Sequence, residues 1–121
     1  MAPTRNTAEV ERWFENTKPP SAAAMRRVRS IILAADRSMN ERTQYGITFA
    51  SSKTGDFGAF VRYREPGVNL RLMRGRRLRG RYPHLEGTTF KRMRFADLKE
   101  VNARAAELRA MVKEWCALGS A

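Results

Sequence analysis

The sequence predicts an α+β fold: a two-layer sandwich in which an antiparallel sheet of about five strands carries two N-terminal helices and one C-terminal helix. Three observations predict it. Apolar residues recur every three or four positions near both ends of the chain, which is helical spacing. In the middle they alternate with polar ones, which is strand spacing. The alternating runs are joined by short turns, so the strands must pair antiparallel, and one face of such a sheet is where amphipathic helices bury their stripes.

The first helix is expected from about Thr7 to Asn16. Asn6 or Thr7 is placed to cap it, and Glu9 and Glu11 suit the positive end of its dipole. Val10, Trp13 and Phe14 form its buried stripe, and Pro19-Pro20 ends the element. Ser21 caps a second helix whose inner face is Met25, Val28, Ile32 and Ala35, with Ile31 beside it. Arg26, Arg27, Arg29 and Arg37 lie off that stripe and should face water. Residues 43–45 and 47–49 read as short strands around Gly46. Gly58 to Arg64 reads as a strand with Ala59, Val61 and Tyr63 on one face and Phe60, Arg62 and Arg64 on the other. Glu65-Pro66-Gly67-Val68 is a reverse turn, and Val68, Leu70 and Leu72 alternate after it, completing a hairpin. Residues 74–91 are irregular, and Lys91 to Phe95 is a further short strand. A third helix spans about Asn102 to Ala117, with Asn102 as its cap and Ala105, Leu108, Met111, Val112 and Trp115 as its stripe.

With 121 residues, 42% of them hydrophobic, the chain (1–121) is expected to form a single domain around one core. Its 24 Lys and Arg, nineteen of them Arg, outnumber 12 acidic residues and give a net charge of +12. A surface of that sign attracts nucleic acid, anionic lipid or acidic proteins through its long-range field. One cysteine, Cys116, rules out an intramolecular disulfide and points to a reducing compartment. One His and one Cys are too few for a zinc site, and His84 has no nucleophile motif near it. Gly75 and Gly80 occur with Arg rather than Lys-Ser/Thr, so the phosphate-loop template fails. No catalytic residue, metal ligand or cofactor is expected. No apolar run approaches the roughly 18 residues of a membrane span, and the opening residues lack a signal-peptide stretch, so the expected location is cytoplasmic.

The feature that remains is the segment from Arg71 to Arg81, in which six of eleven residues are arginine. Arginine presents bidentate donors to phosphate, and glycines let backbone amides approach an anion. The expected anion or nucleic-acid site comprises Arg71, Arg74, Arg76, Arg77, Arg79 and Arg81, joined by Lys91, Arg92 and Arg94. A second expected site is a ligand groove near Tyr45, Phe49 and Tyr63.

Pro19-Pro20-Ser21 entering a helix, Gln44-Tyr45-Gly46-Ile47-Thr48-Phe49, the stretch from Leu85 to Arg94 and the terminal amphipathic helix occur in this order. In these motifs the chain resembles the YdhG-like family, a domain of unknown function, from about Ala8 to Trp115. The resemblance implies a two-layer α/β fold. It implies little chemistry, although some members are described as frataxin-like intracellular iron chaperones. The only helical acidic group, Glu9, Glu11 and Glu15, is opposed by Arg5, Arg12 and Lys18, which argues against a hard oxygen-ligand site. The expectation is therefore a non-enzymatic cytoplasmic module that binds an anionic partner, nucleic acid or acidic protein, through its Arg-rich loop. The alternative is a small-molecule or iron carrier of the frataxin-like type. If the helix stripes are buried, Ile32→Ala should destabilise the protein by about 2–5 kcal/mol in urea denaturation.

Overall fold

The structure, a computed structural model, describes residues 7–44 and 46–119. Helix α1 (Thr7–Thr17) buries Val10 and Phe14, while Trp13 packs edge-on against Phe14 and Tyr63 at its rim. It ends where Lys18 turns to a positive φ of 48° and the two prolines deny further helix. Helix α2 (Ala22–Ala35) buries Met25, Val28, Ile31 and Ile32. Ser21 does not cap α2 with its side chain: its hydroxyl accepts the Gly67 amide at 2.7 Å and ties the helix entrance to a sheet turn. Asn6, the alternative cap for α1, lies outside the described residues.

The sheet has six antiparallel strands rather than five, in the order β1-β2-β3-β4-β6-β5. They are β1 (Met39–Thr43), β2 (Ile47–Ser51), β3 (Gly55–Val61), β4 (Val68–Leu72), β5 (Leu85–Glu86) and β6 (Arg92–Phe95). Strand β5 is two residues long, too short to leave a periodic signal. Strand β1 starts at Met39, ahead of the expected residues 43–45, and shares only Thr43 with them, because its Glu41 occupies an inward position that composition alone assigns to water. Strand β3 also differs from its reading. Phe49 stands opposite Gly58 but Ala50 stands opposite Asp56, which leaves Phe57 as the extra residue of a β-bulge. The bulge lets both Phe57 and Phe60 enter the core. At its other end β3 stops at Val61, since Arg62 adopts a φ of 52°, so Tyr63 and Arg64 are not strand residues.

The single C-terminal helix expected from the sequence is two. Asp97 caps α3 (Leu98–Ala103) by accepting the Glu100 amide at 2.9 Å, and a break at Arg104 leads into α4 (Ala105–Leu118). Asn102 therefore sits inside a helix instead of capping one. The break lets Val101 and the α4 stripe of Leu108, Met111, Val112 and Trp115 all reach one core. Thr54 and Gly55 fasten the end of α4: Thr54 Oγ1 donates to the Trp115 carbonyl at 2.7 Å, and Trp115 Nε1 donates to the Gly55 carbonyl at 3.1 Å.

All the helix stripes join one cluster with alternate strand residues, among them Met39, Ile47, Phe49, Phe60, Leu70, Leu72, Met93 and Phe95. The other phase of the strands, including Arg42, Asn69, Arg71, Arg92 and Arg94, points away from every described helix. This is a two-layer α+β sandwich with one sheet face left open.

One ionic network crosses the layers. Glu41 is 0% exposed and receives Arg29 Nε at 2.6 Å and Nη2 at 2.7 Å. Arg29 Nη1 reaches Glu11 at 2.6 Å, and Arg26 completes that carboxylate from its other side at 2.6 Å. The Glu41 hydrogen bond is the main reason the Arg29 guanidinium is held above its ordinary range, and burial opposes it. The network couples α1, α2 and β1. Removing one member of a buried pair leaves a charge without compensation. Glu41→Ala should therefore destabilise the fold by about 3–5 kcal/mol, read from the shift of the urea midpoint at constant m-value.

Candidate anion-binding face

Strands β4 and β6 build the site. Their register sets Asn69 opposite Arg94 and Arg71 opposite Arg92, all on the face that the helices leave open. Two like charges directly across a strand pair repel, which costs the fold stability. Arg62, thrown outward by its positive φ, and Lys91, at the entrance to β6, add to the same group. These cations, with Val61, Glu65, Asn69 and Phe90, line a depression of about 630 Å³. Among the described residues, no carboxylate lies within ion-pair distance of Arg62, Arg71, Lys91 or Arg92.

Arg94 differs from them. Glu86 on β5 accepts its Nε at 2.9 Å and Nη2 at 2.8 Å, so it stands at the rim as half of an exposed pair. The Arg94 hydrogen bond is the main cause holding the Glu86 carboxyl below its ordinary range. Phe90 is 68% exposed, and the Arg71 guanidinium lies 5.1 Å from its ring centroid. Gly87 sets the loop that presents Phe90. Its φ is +96°, and a Cβ there would fall 2.1 Å from the Phe90 carbonyl oxygen, so no other residue fits without moving the loop.

A second depression, of about 410 Å³, shares Val61 and Arg71 with the first and runs on across β3. Thr48 and Ala59 lie on it, and Met73 borders it at 44% exposure. Arg42 at its far side is held by Asp56, both donor–acceptor distances being 3.0 Å.

The nine basic residues expected at one site thus divide. Arg71, Lys91, Arg92 and Arg94 meet at the open face, whereas Arg74, Arg76, Arg77, Arg79 and Arg81 follow a loop drawn toward α4. Arg77, in a single 3-10 turn, covers the Trp115 ring at 5.4 Å. Beyond it Glu114 gathers the backbone, accepting the Arg79 amide at 2.5 Å, the Gly80 amide at 3.1 Å and the Tyr82 hydroxyl. Glu107 repeats the device on His84, taking its amide at 2.8 Å and pairing with its Nδ1 at 2.7 Å. Burial alone would raise the Glu114 carboxyl, but the Arg79 amide, Tyr82 hydroxyl and Gly80 amide together hold it below its ordinary range. Burial, then Glu114, pushes the Tyr82 phenol above its ordinary range.

The expected aromatic groove does not assemble. Phe49 is 0% exposed and packs on Phe60 inside the core, and Tyr63 packs against Trp13. Tyr45 lies outside the described residues. Glu9 and Glu11 are engaged within the fold, accepting the Thr43 amide and the two α2 arginines respectively. Among the described residues there is no group of three or more His, Cys, Asp or Glu side chains placed to hold a metal ion. Cys116 is buried, and among the described residues no helix is long and apolar enough to cross a membrane.

Sequence reasoning missed Arg62, Asn69, Met73 and Phe90. Phe90 carried a usable signal, a large aromatic in a Gly-Thr-Thr loop. Arg62 carried none, because its outward turn depends on a local φ reversal. No family model, curated protein or solved structure matches this chain.

The Glu114 clasp has a pH signature. A carboxyl held below its unfolded value near 4.5 contributes stability above that pH, and loses the contribution as pH falls through its folded value. Hydrogen-exchange protection of the Arg79 and Gly80 amides should decline as pH drops below about 4.5. Glu114→Gln should lower that protection roughly tenfold or more at neutral pH, given about 1.5–3 kcal/mol per charge-assisted hydrogen bond.

Proposed function

We propose that this chain is a non-enzymatic binding module whose open sheet face receives the phosphate backbone of a nucleic acid. The observation that carries the reading is the Arg71–Arg92 juxtaposition, bordered by Arg62 and Lys91 and without a carboxylate partner among the described residues. A like-charge cross-strand pair detracts from folding, so its physical sense lies in a ligand of opposite sign. Guanidinium groups give phosphate bidentate donors, and the excess of +12 draws a polyanion from a distance. Rigid strands fix Arg71 and Arg92, and Arg62 and Lys91 flank strand ends beside them, whereas the loop arginines at 74–81 add long-range field without converging on one point. The cytoplasm, where nucleic acid is abundant, is the compartment that fits this reading, and the YdhG-like resemblance stands with it on the sequence motifs.

Phosphate contacts release counterions, so each one steepens the dependence of affinity on salt by about 0.7–0.9 in log–log slope. Arg71→Ser with Arg92→Ser should flatten that slope by about 1.4–1.8, measured by fluorescence anisotropy with a labelled oligonucleotide at several salt concentrations. Arg76→Ser, Arg79→Ser and Arg81→Ser together should flatten it less than the sheet pair does. If the loop triple abolishes binding while the sheet pair leaves the slope intact, the site is the loop and the open face is not the interface.

A further inference from the structure

We infer that the nucleic acid on this face is single-stranded, with one unstacked base laid against Phe90 and its neighbour over the Val61–Met73 side; this rests on the phosphate-binding reading above. Phe90 is the starting point. Of the six phenylalanines, five are buried and contribute to the core, while Phe90 stands 68% exposed at the edge of the cationic depression. An isolated exposed phenylalanine needs no explanation. This one, however, is held in place by a glycine that no other residue can replace without moving the loop, and its ring lies 5.1 Å from the Arg71 guanidinium. An aromatic ring and a flat guanidinium brought together are the elements on which exposed bases stack.

The second observation is continuity. The cationic depression and the one across β3 meet at Val61 and Arg71, so a chain crossing the sheet passes Arg71 between two unlike floors. On one side are Phe90 and the cations Arg62, Lys91 and Arg92. On the other are Ala59 and the half-exposed Met73, with Thr48 beside them and Arg42 already paired to Asp56 at the far side. Alternation of a cation with apolar platforms matches the alternation of phosphate and base along a strand whose bases are splayed. A duplex cannot use it. Its bases are stacked on each other, and their faces are closed to Phe90 and Met73; the open face also carries no described helix to enter a major groove.

The test uses the full chain, a fluorescein-labelled oligodeoxythymidylate, a duplex of equal length, inorganic polyphosphate and polyglutamate. Phe90→Ala should weaken oligodeoxythymidylate binding roughly 5- to 150-fold, the range for one stacked base, with the salt slope unchanged. It should leave polyphosphate binding unaltered, and Phe90→Trp should restore or tighten the single-stranded complex. Because Phe90 is exposed, far-UV circular dichroism of both variants should equal that of the parent. Equal affinity for duplex and single strand overturns the inference, as does a Phe90→Ala variant that binds oligodeoxythymidylate like the parent. So does Phe90-dependent binding of polyglutamate, which would mark an acidic protein as the partner. If Phe90→Ala is silent while the Arg71/Arg92 pair still sets the salt slope, only the single-strand inference fails. If the parent binds neither oligonucleotide nor polyphosphate at low salt, the phosphate-binding reading fails with it.

Discussion

The structure depends on an imbalance between its layers. Six antiparallel strands present two faces, and the helices cover one. An antiparallel sheet tolerates this because its side chains alternate, so one phase can be apolar and the other polar. Once α2 and α4 settle on Phe60, Leu70 and Met93, the register leaves no choice about what lies outside: Asn69, Arg71, Arg92 and Arg94 must face away from the core. The candidate site is therefore a consequence of how the core is filled rather than a feature added to it.

The distribution of acidic groups follows the same division. Of 12 acidic residues, Glu9, Glu11, Asp36, Glu41, Asp56, Glu86, Asp97, Glu100, Glu107 and Glu114 all accept hydrogen bonds within the fold. They hold helix to helix, cap α3, and fasten the irregular loop to α4. Few remain to neutralise the surface, so an excess that composition reports only as a total becomes local at β4 and β6. The buried Arg29–Glu41 pair and the unpaired Arg71–Arg92 juxtaposition use the same side-chain chemistry to opposite ends. In the first, the guanidinium completes its bonds inside the protein; in the second no described carboxylate lies within ion-pair distance.

What could be read from the sequence was what depends on local period. The stripes of α1, α2 and α4 and the antiparallel pairing of β3 with β4 follow from spacing and occur where it puts them, but the hydrogen-bonded turn between those strands lies at Arg62–Glu65, ahead of the expected Glu65–Val68. The failures come from events that alternation does not encode. The bulge at Phe57 adds a residue to β3, Arg62 reverses φ where an extended residue was expected, and β5 exists only because β6 offers it an edge. For the site, arginine density along residues 71–81 was visible, but density in sequence is not convergence in space. Arg71 and Arg92 are 21 positions apart and are made neighbours by sheet order alone, while the intervening loop is turned aside by Glu114.

On the proposed anion-binding reading, the Arg71–Arg92 register also makes folding and occupancy a single equilibrium. In the free protein the two guanidinium groups oppose each other across a strand pair, which detracts from the pairing of β4 with β6. An anion seated between them turns repulsion into bridging, and whatever free energy it contributes to binding reappears as resistance of β4 and β6 to unfolding. Given the proposed site, the thermal stability of this domain is set partly by the anions around it. On that reading, in a solution crowded with polyphosphates the protein would be a tougher object than in dilute buffer, with no change in its sequence or its core.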